Sequence, residues 1–370
     1  MAGGLCCSLC AQTLPRSSFS RGQLKKDEQR QCQKCVALLA RLRELSEEIP
    51  EKRSKCIAAD CQVVEFVLGA LRMYPSHKDI QMDGLVALAH NCCDQAGGRA
   101  SAWEQGALPL VLSAVDVCPG QSPVAARALL AVGNLCDSHE HSSTAFEAGA
   151  LTQILSSMRT YPSEEEVQRF GASALANICF ELPAARSAAL EGGAVPLLVD
   201  CLESWQDSEN VIVNALHAFA ALGAAPESAT CAAVKGVPRL IAAAMEAHAE
   251  TAQVQCNGLE ALGNLCDGSA ELRREAILAG TASIAERALL RWGTADERVA
   301  EAAVCGTLEG LTQDPDAEED PLAAEVLESA AAAAERAAAR FAGNEALVRE
   351  AKRLRERADE PAALLKRLRI

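Results

Sequence analysis

The stretch Glu104-Gln-Gly106-Ala-Leu-Pro-Leu110 returns in altered form about every 43 to 44 residues. It reads Glu147-Ala-Gly149-Ala-Leu151, then Glu191-Gly-Gly193-Ala-Val-Pro-Leu197, Lys235-Gly236-Val-Pro-Arg-Leu240 and Ala279-Gly280-Thr-Ala282. A period of roughly 40 to 47 residues with helical patterning marks a stacked-helix solenoid, in which each unit buries its apolar face against its neighbours. The unit at 147–190 shows why. Gly149 stands where a tight turn between helices needs a residue without a Cβ. Leu151, Ile154 and Leu155 then form an apolar stripe, and Tyr161-Pro162 ends that helix. Ser163, followed by three glutamates, is placed to cap a long helix whose Val167, Phe170, Ala174 and Ile178 share one face. In sister units Pro109, Pro196 and Pro238 suit a first helical position, where a missing N–H costs nothing.

Composition agrees. Alanine is abundant and aromatic residues make up 3% of the chain, which favours close-packed helices over sheet. No run of about 18 uncharged apolar residues is present, so no membrane span is expected. No basic region precedes an apolar stretch at the N-terminus, so no secretory signal is expected either. The cysteines within helical phrases, such as Cys136 and Cys179, suit small buried apolar residues in a reducing compartment, cytoplasmic or nuclear. The net charge of −15 is unevenly spread. Residues 1–56 carry 11 Lys+Arg against 6 Asp+Glu, residues 321–370 carry 10 against 8, and 57–320 carry 14 against 36. An acidic body of this kind repels a phosphate backbone and attracts basic protein segments, besides keeping a long surface solvated.

Four parts follow: a cysteine-rich head (1–36), a connecting helix and linker (37–56), a repeat region (57–320) of about six units, and a charged, Ala-rich helical tail (321–370). Two phrases recur in phase through the repeats. One is the Gly-Ala/Val-(Leu)-Pro turn. The other is Ala-Leu-x-Asn-Leu/Ile, seen as Leu88-Ala-His-Asn91, Leu130-Ala-Val-Gly-Asn134, Leu175-Ala-Asn177 and Leu262-Gly-Asn264. On these phrases the region resembles the armadillo family, whose units have a short first helix and two longer ones. The fold so implied is an all-α, right-handed superhelical solenoid. HEAT-type helical pairs are the nearest competitor and lack the turn glycine.

Asn91, Asn134, Asn177 and Asn264 fall one or two periods apart and so recur at one register position. An amide offers both a donor and an acceptor and can pair with the backbone of an extended peptide, or brace its own inter-repeat loop. The armadillo resemblance implies the first role, a third-helix row lining a concave groove. Import-type armadillos carry a tryptophan four residues before each asparagine. Here Ala87, Leu130, Ser173 and Glu260 stand there, so the aromatic pockets that grip lysine stems are missing and import cargo is disfavoured. The expected ligand is another basic or mixed protein segment. Asp94, Asp137 and Asp267 follow the phrase by three residues and suit helix termination and loop organisation, with anionic contact to a basic ligand as the alternative.

The head has its own signal. Cys7-Ser-Leu-Cys10 and Cys32-Gln-Lys-Cys35 are two C-x-x-C pairs, and together they offer four thiolates to one structural Zn2+. A redox dithiol and an unstructured cysteine-rich leader are the alternatives, and Cys6 competes with Cys7. The intervening Leu14-Pro15-Arg-Ser-Ser-Phe19-Ser20 makes residues 6–36 resemble the first finger of the Stc-type zinc domain, which is named from an adaptor linking small-RNA silencing to a chromatin-modifying complex. No second cysteine-rich finger follows Cys35, so the metal-bound fold is what the resemblance carries over. Basic residues of the head permit nucleic-acid contact, although they also offset the charge of a four-thiolate site.

No phosphate-binding glycine loop, nucleophile elbow or Cys/His nucleophile context is found, and no enzyme is expected. The chain reads as a non-catalytic adaptor holding a partner segment in an acidic groove. The alternative is a nucleic-acid- or chromatin-associated factor whose finger makes the contact while the solenoid recruits effectors. A ubiquitin-ligase role is weaker, because a RING needs two zinc ions. The basic, partly amphipathic end of the tail, around Arg349–Arg369, suits contact with a membrane surface, an acidic partner or, as an intramolecular lid, the acidic solenoid itself.

Overall fold

A computed structural model describes residues 33–47, 57–93, 96–224, 236–267, 269–308 and 324–368, with short pieces of the first 31 residues. The chain forms two compact units, Met1–Ala174 and Leu175–Ile370. In the first unit lie α1 (Gln33–Glu47), α2 (Ile57–Met73), α3 (Lys78–Cys92), α4 (Ala96–Glu104), α5 (Ala107–Val117), α6 (Ser122–Leu135), α7 (His139–Glu147) and α8 (Ala150–Thr160). Helix α9 (Glu165–Cys179) runs across the boundary. The second unit continues with α10 (Pro183–Glu191), α11 (Ala194–Ser204), α12 (Glu209–Gly223), α13 (Val237–Ala247), α14 (Ala252–Cys266), α15 (Ala270–Leu278) and α16 (Thr281–Trp292). Next come α17 (Glu297–Glu301), which runs into a π-helical turn (Ala302–Leu308), then α18 (Ala324–Arg340) and α19 (Glu345–Leu368).

The quoted glycine is the pivot of this order. Gly106, Gly149, Gly193, Gly236 and Gly280 each sit at the N-cap of a second helix with φ between +68° and +86°. L-residues disfavour that left-handed region because Cβ crowds the backbone, so glycine lets a short helix turn directly into the next. The prolines stand slightly deeper than expected. Pro109 and Pro196 are third residues of their helices and Pro238 is a second residue, still among the first four N–H groups, which lack intrahelical acceptors. Similarly α9 begins at Glu165, with Glu164 rather than Ser163 accepting its first backbone bonds.

Third helices carry the core. In the first unit α3 lies against α1, α2 and α6, and in the second α14 lies against α12 and the π turn. Helix α14 is buried from Val254 to Cys266 apart from Glu260 and Asn264. Small residues permit this approach. At Gly263 an added Cβ would meet the backbone carbonyl of Gly306 at 2.8 Å. Three third helices also carry a Gln-x-x-Gly step that spacing arguments overlooked. Gln81, Gln168 and Gln255 each turn Nε2 onto two late carbonyls of the preceding second helix: Leu71 and Tyr74, Met158 and Tyr161, Met245 and His248, at 2.8–3.2 Å. These buried amides supply donors that a helix C-terminus lacks. Their glycine partners leave room for Leu71, Met158 and Met245, whose side chains an added Cβ would meet at 2.5–2.7 Å.

The ends depart from expectation. Helix α1 begins at Gln33, inside the stretch assigned to the head, and buries Cys35 with its Sγ 3.6 Å from Tyr74 Oη. Ahead of it, Leu5–Cys6 and Thr13–Leu14 form a short antiparallel pair. The tail packs as α18 on α16 and as α19 on α18 and the π turn. Residues 324–354 therefore extend the helical stack and bury Ala330, Ala334, Leu347 and Leu354, as an end cap does. Among the described residues no helix is long and apolar enough to cross a membrane.

Candidate functional site

The four asparagines were expected to offer their amides outward. Asn91 does not. It is fully buried, its Nδ2 donates to Ala87 O of its own helix at 2.8 Å, and its Oδ1 meets no hydrogen-bond donor. Asn134 is half-buried and donates to Ala89 O, in the third helix one repeat earlier, at 3.0 Å. Asn264 repeats that bond on Ala220 O at 2.9 Å, and the unpredicted Asn257 does the same on Val213 O at 2.9 Å. Asn177 is half-buried. Asn134, Asn257 and Asn264 thus each use one amide N–H to brace one third helix on the next. Ala220 has no amide, yet its carbonyl receives one.

The candidate groove in the second unit is a cavity of about 690 Å³ on the third-helix face. Helix α14 supplies Gln253, Cys256, Asn257, Glu260 and Asn264, α12 supplies His217, and the last repeat supplies Arg298, Glu301 and Cys305. Phe180, 53% exposed, forms part of the wall. Burial raises the Glu260 carboxyl above its ordinary value of 4.5, and the charge of Glu301 adds to the rise. Burial likewise pushes His217 below 6.5, so its imidazole is neutral in neutral water. Arg298 is occupied at 3.5 Å by Gln253 Oε1 and by Asp296 Oδ2, while Asn344 of the tail reaches Glu301 Oε2 at 3.4 Å. Glu260 stands four residues before Asn264, at the place where an import groove would carry tryptophan.

A second cluster lies in the first unit. Asp137 pairs with Arg99 and, at 2.6 Å, with His141 Nδ1, while His141 stacks on Trp103 with ring centroids 4.5 Å apart. Burial acts to raise the Asp137 carboxyl, but the bonds from His141 and Arg99 overcome it and hold it below 3.8. Asp137 and its partners tie the start of α7 to α4, as a loop-organising residue should. Asp267 caps the end of α14, and Asp94 lies outside the described residues. The arginines Arg99, Arg186 and Arg273, two repeat lengths apart, reach back to the carbonyls of Cys92, Cys179 and Cys266. Burial pushes the thiols of Cys92, Cys136, Cys179 and Cys266 up to about 12, so they are protonated apolar side chains at neutral pH.

Cys7, Cys10 and Cys32 lie outside the described residues, so of the four expected zinc ligands only Cys35 is placed. No cluster of three or more metal-ligating side chains occurs among the described residues.

Residues 144–312 match the sequence model described as the LRRK2 ARM repeat. No curated protein matches the sequence. Among solved structures, a designed armadillo repeat protein is 24% identical, with a TM-score of 0.55 over 67% of this chain and 99% of its own. A second designed armadillo repeat protein, solved in complex with the peptide (KR)4, is 22% identical, with a TM-score of 0.53 over 68% of this chain and 99% of its own. A structure from work on a phosphorylation switch in the interaction between cadherin and beta-catenin is 17% identical, with a TM-score of 0.58 over 85% of this chain and 55% of its own. At such identities the likeness is one of fold: the chain is an all-α, armadillo-like solenoid.

Proposed function

We propose that this armadillo-like solenoid is a non-catalytic scaffold that holds an extended, basic or mixed segment of a partner protein along its third-helix face. The observation that carries the reading is the open cavity beside α14, with carboxylates, amides and one exposed aromatic converging on it. Such a lining suits a polypeptide, because amide carbonyls can accept from a main chain while carboxylates select its side chains. The designed relative solved with (KR)4 supports a basic choice of ligand on this fold. A photo-crosslinking residue introduced at His217, inside the cavity, should capture the partner. The same residue at Arg239, exposed on α13, should not. Equal capture at both positions would move the binding face elsewhere.

The head, in the same proposal, carries one structural Zn2+ on Cys7, Cys10, Cys32 and Cys35. The backbone pairing of Leu5–Cys6 with Thr13–Leu14 favours it, since that pairing closes a loop containing the first C-x-x-C pair. Bound there, zinc would supply folding free energy to a segment with little apolar core.

A further inference from the structure

The second C-x-x-C pair of the head runs directly into the first repeat. Helix α1 packs against α3 and buries Leu42 and Leu45, while Arg43 Nε stands 3.9 Å from Asp83 Oδ2. Cys35, the third residue of α1 and 2% exposed, is thereby held at the end of α2, with its Sγ 3.6 Å from Tyr74 Oη. Tyr74 is half-buried and held in its turn. Its N–H donates to Ala70 O at 3.1 Å, and its carbonyl accepts from His77 N at 3.2 Å and from Gln81 Nε2 at 3.0 Å. The backbone that carries the phenol is thus fixed by the first repeat's own Gln-x-x-Gly step.

This setting fits the ligand that the four-cysteine reading puts at Cys35. The thiol lies in the first turn of a helix, where backbone N–H groups without intrahelical acceptors favour a thiolate. We infer that Tyr74 completes the zinc site from the first repeat, by donating its phenolic hydrogen to the metal-bound thiolate of Cys35. The inference rests on the zinc reading above and adds one residue from outside the cysteine set. As a thiol, Cys35 could give or take this hydrogen bond. A zinc-bound thiolate has no proton, so Oη must donate and Sγ accept. Outer bonds of this kind orient metal ligands, and a buried thiolate without a donor carries poorly compensated charge. The same glutamine step holds Tyr161 and His248 in later repeats, so a ring at this place belongs to the repeat pattern. The thiol beside Tyr74 comes with the head.

The test uses the full chain and Zn2+ itself, with affinity read by competition against a coloured chelator. The unaltered chain should hold about one equivalent. Tyr74→Phe keeps the ring, removes the hydroxyl and should weaken zinc binding at least about tenfold. Tyr161→Phe makes the same change at the same place two repeats further on, and should alter affinity by no more than about twofold. With Co2+ in place of zinc, the sulfur-to-metal charge-transfer band of Tyr74→Phe should move to longer wavelength. A thiolate lone pair that loses a hydrogen bond rises in energy, whereas lost packing alone leaves the band in place. A third measurement keeps Tyr74 intact. Zinc added to the metal-stripped Tyr161→Phe chain, whose remaining tyrosine is Tyr74, should shift the tyrosine absorption to longer wavelength. Unchanged affinity in Tyr74→Phe, equal losses in the two variants, an unmoved cobalt band or an unmoved tyrosine band would each overturn the inference. Zinc held by the unaltered chain and lost in Cys7→Ser/Cys10→Ser would then leave the four-cysteine reading standing. An unaltered chain without zinc would overturn both.

Discussion

Glu260 is held at an electrostatic disadvantage in the folded chain. Desolvation, then repulsion from Glu301, raises its carboxyl above 4.5 in the folded chain. The folded protein therefore binds this proton more tightly than the unfolded one. Stability is highest where both states are protonated and falls as pH rises through the interval between the two values, leaving a deficit at neutral pH. Glu260→Gln removes the deficit, so its urea midpoint should exceed that of the unaltered chain at pH 7, and the gap should close in acid below about pH 4. A midpoint lowered at pH 7 would show the carboxylate to be a net structural asset. A gain in stability coupled to a loss of ligand binding is the signature of a residue serving a site. Asp137 has the opposite balance: its bonds to His141 and Arg99 hold its value down, so its contribution is present at neutral pH and lost as acid protonates it.

Among the elements, glycine within third helices separates space from conformation. Gly133 and Gly263 precede Asn134 and Asn264 at equivalent places, yet their surroundings differ. An added Cβ at Gly133 would lie 3.6 Å from the Ala174 backbone, an ordinary contact. At Gly263 it would lie 2.8 Å from the Gly306 carbonyl, and backbone cannot move aside cheaply. Gly133→Ala should thus be neutral or stabilising by up to about 1 kcal/mol through helix propensity. Gly263→Ala should cost roughly 1–3 kcal/mol by overpacking α14 against the π turn. Chemical denaturation of the two variants distinguishes them, and matching midpoints would show that the π turn does not press on α14. The phrase Gly-Asn was legible in both repeats. Which of the two glycines is indispensable was not, because the answer lies in an element about 43 residues further on.

At the scale of the whole molecule, the ends changed meaning most. The tail's basic spacing suggests a surface for contact, and the same helix also buries Leu347, Ala351 and Leu354 in the helical stack. The head retains its zinc expectation, with a better test than substitution at the second pair. Cys35 is buried beside Tyr74, so serine there would disturb packing as well as any metal site. Cys7→Ser/Cys10→Ser avoids that overlap. The purified variant should lose its zinc, about one equivalent by mass spectrometry, while the melting of the repeat region stays within a few degrees of the unaltered chain. Retention of a full equivalent would remove the first pair from the site.

Repeat period, helix order and the turn glycines followed from sequence, because each is a local demand: an apolar stripe every turn, a residue without Cβ at positive φ, a donor-free start to each helix. The Gln-x-x-Gly steps were equally present in the letters and were missed only because no motif announced them. What the asparagines do belonged to the tertiary structure. Identical amides at identical register are spent on their own helix at Asn91 and on the preceding helix at Asn134 and Asn264, since a side-chain donor takes the carbonyl that packing brings within 3 Å. The groove that remains is lined by other groups, among them Glu260, Glu301 and Phe180. No pattern within one repeat could bring Phe180, Glu260 of α14 and Glu301 of α17 to one cavity, because that requires the repeats to stack.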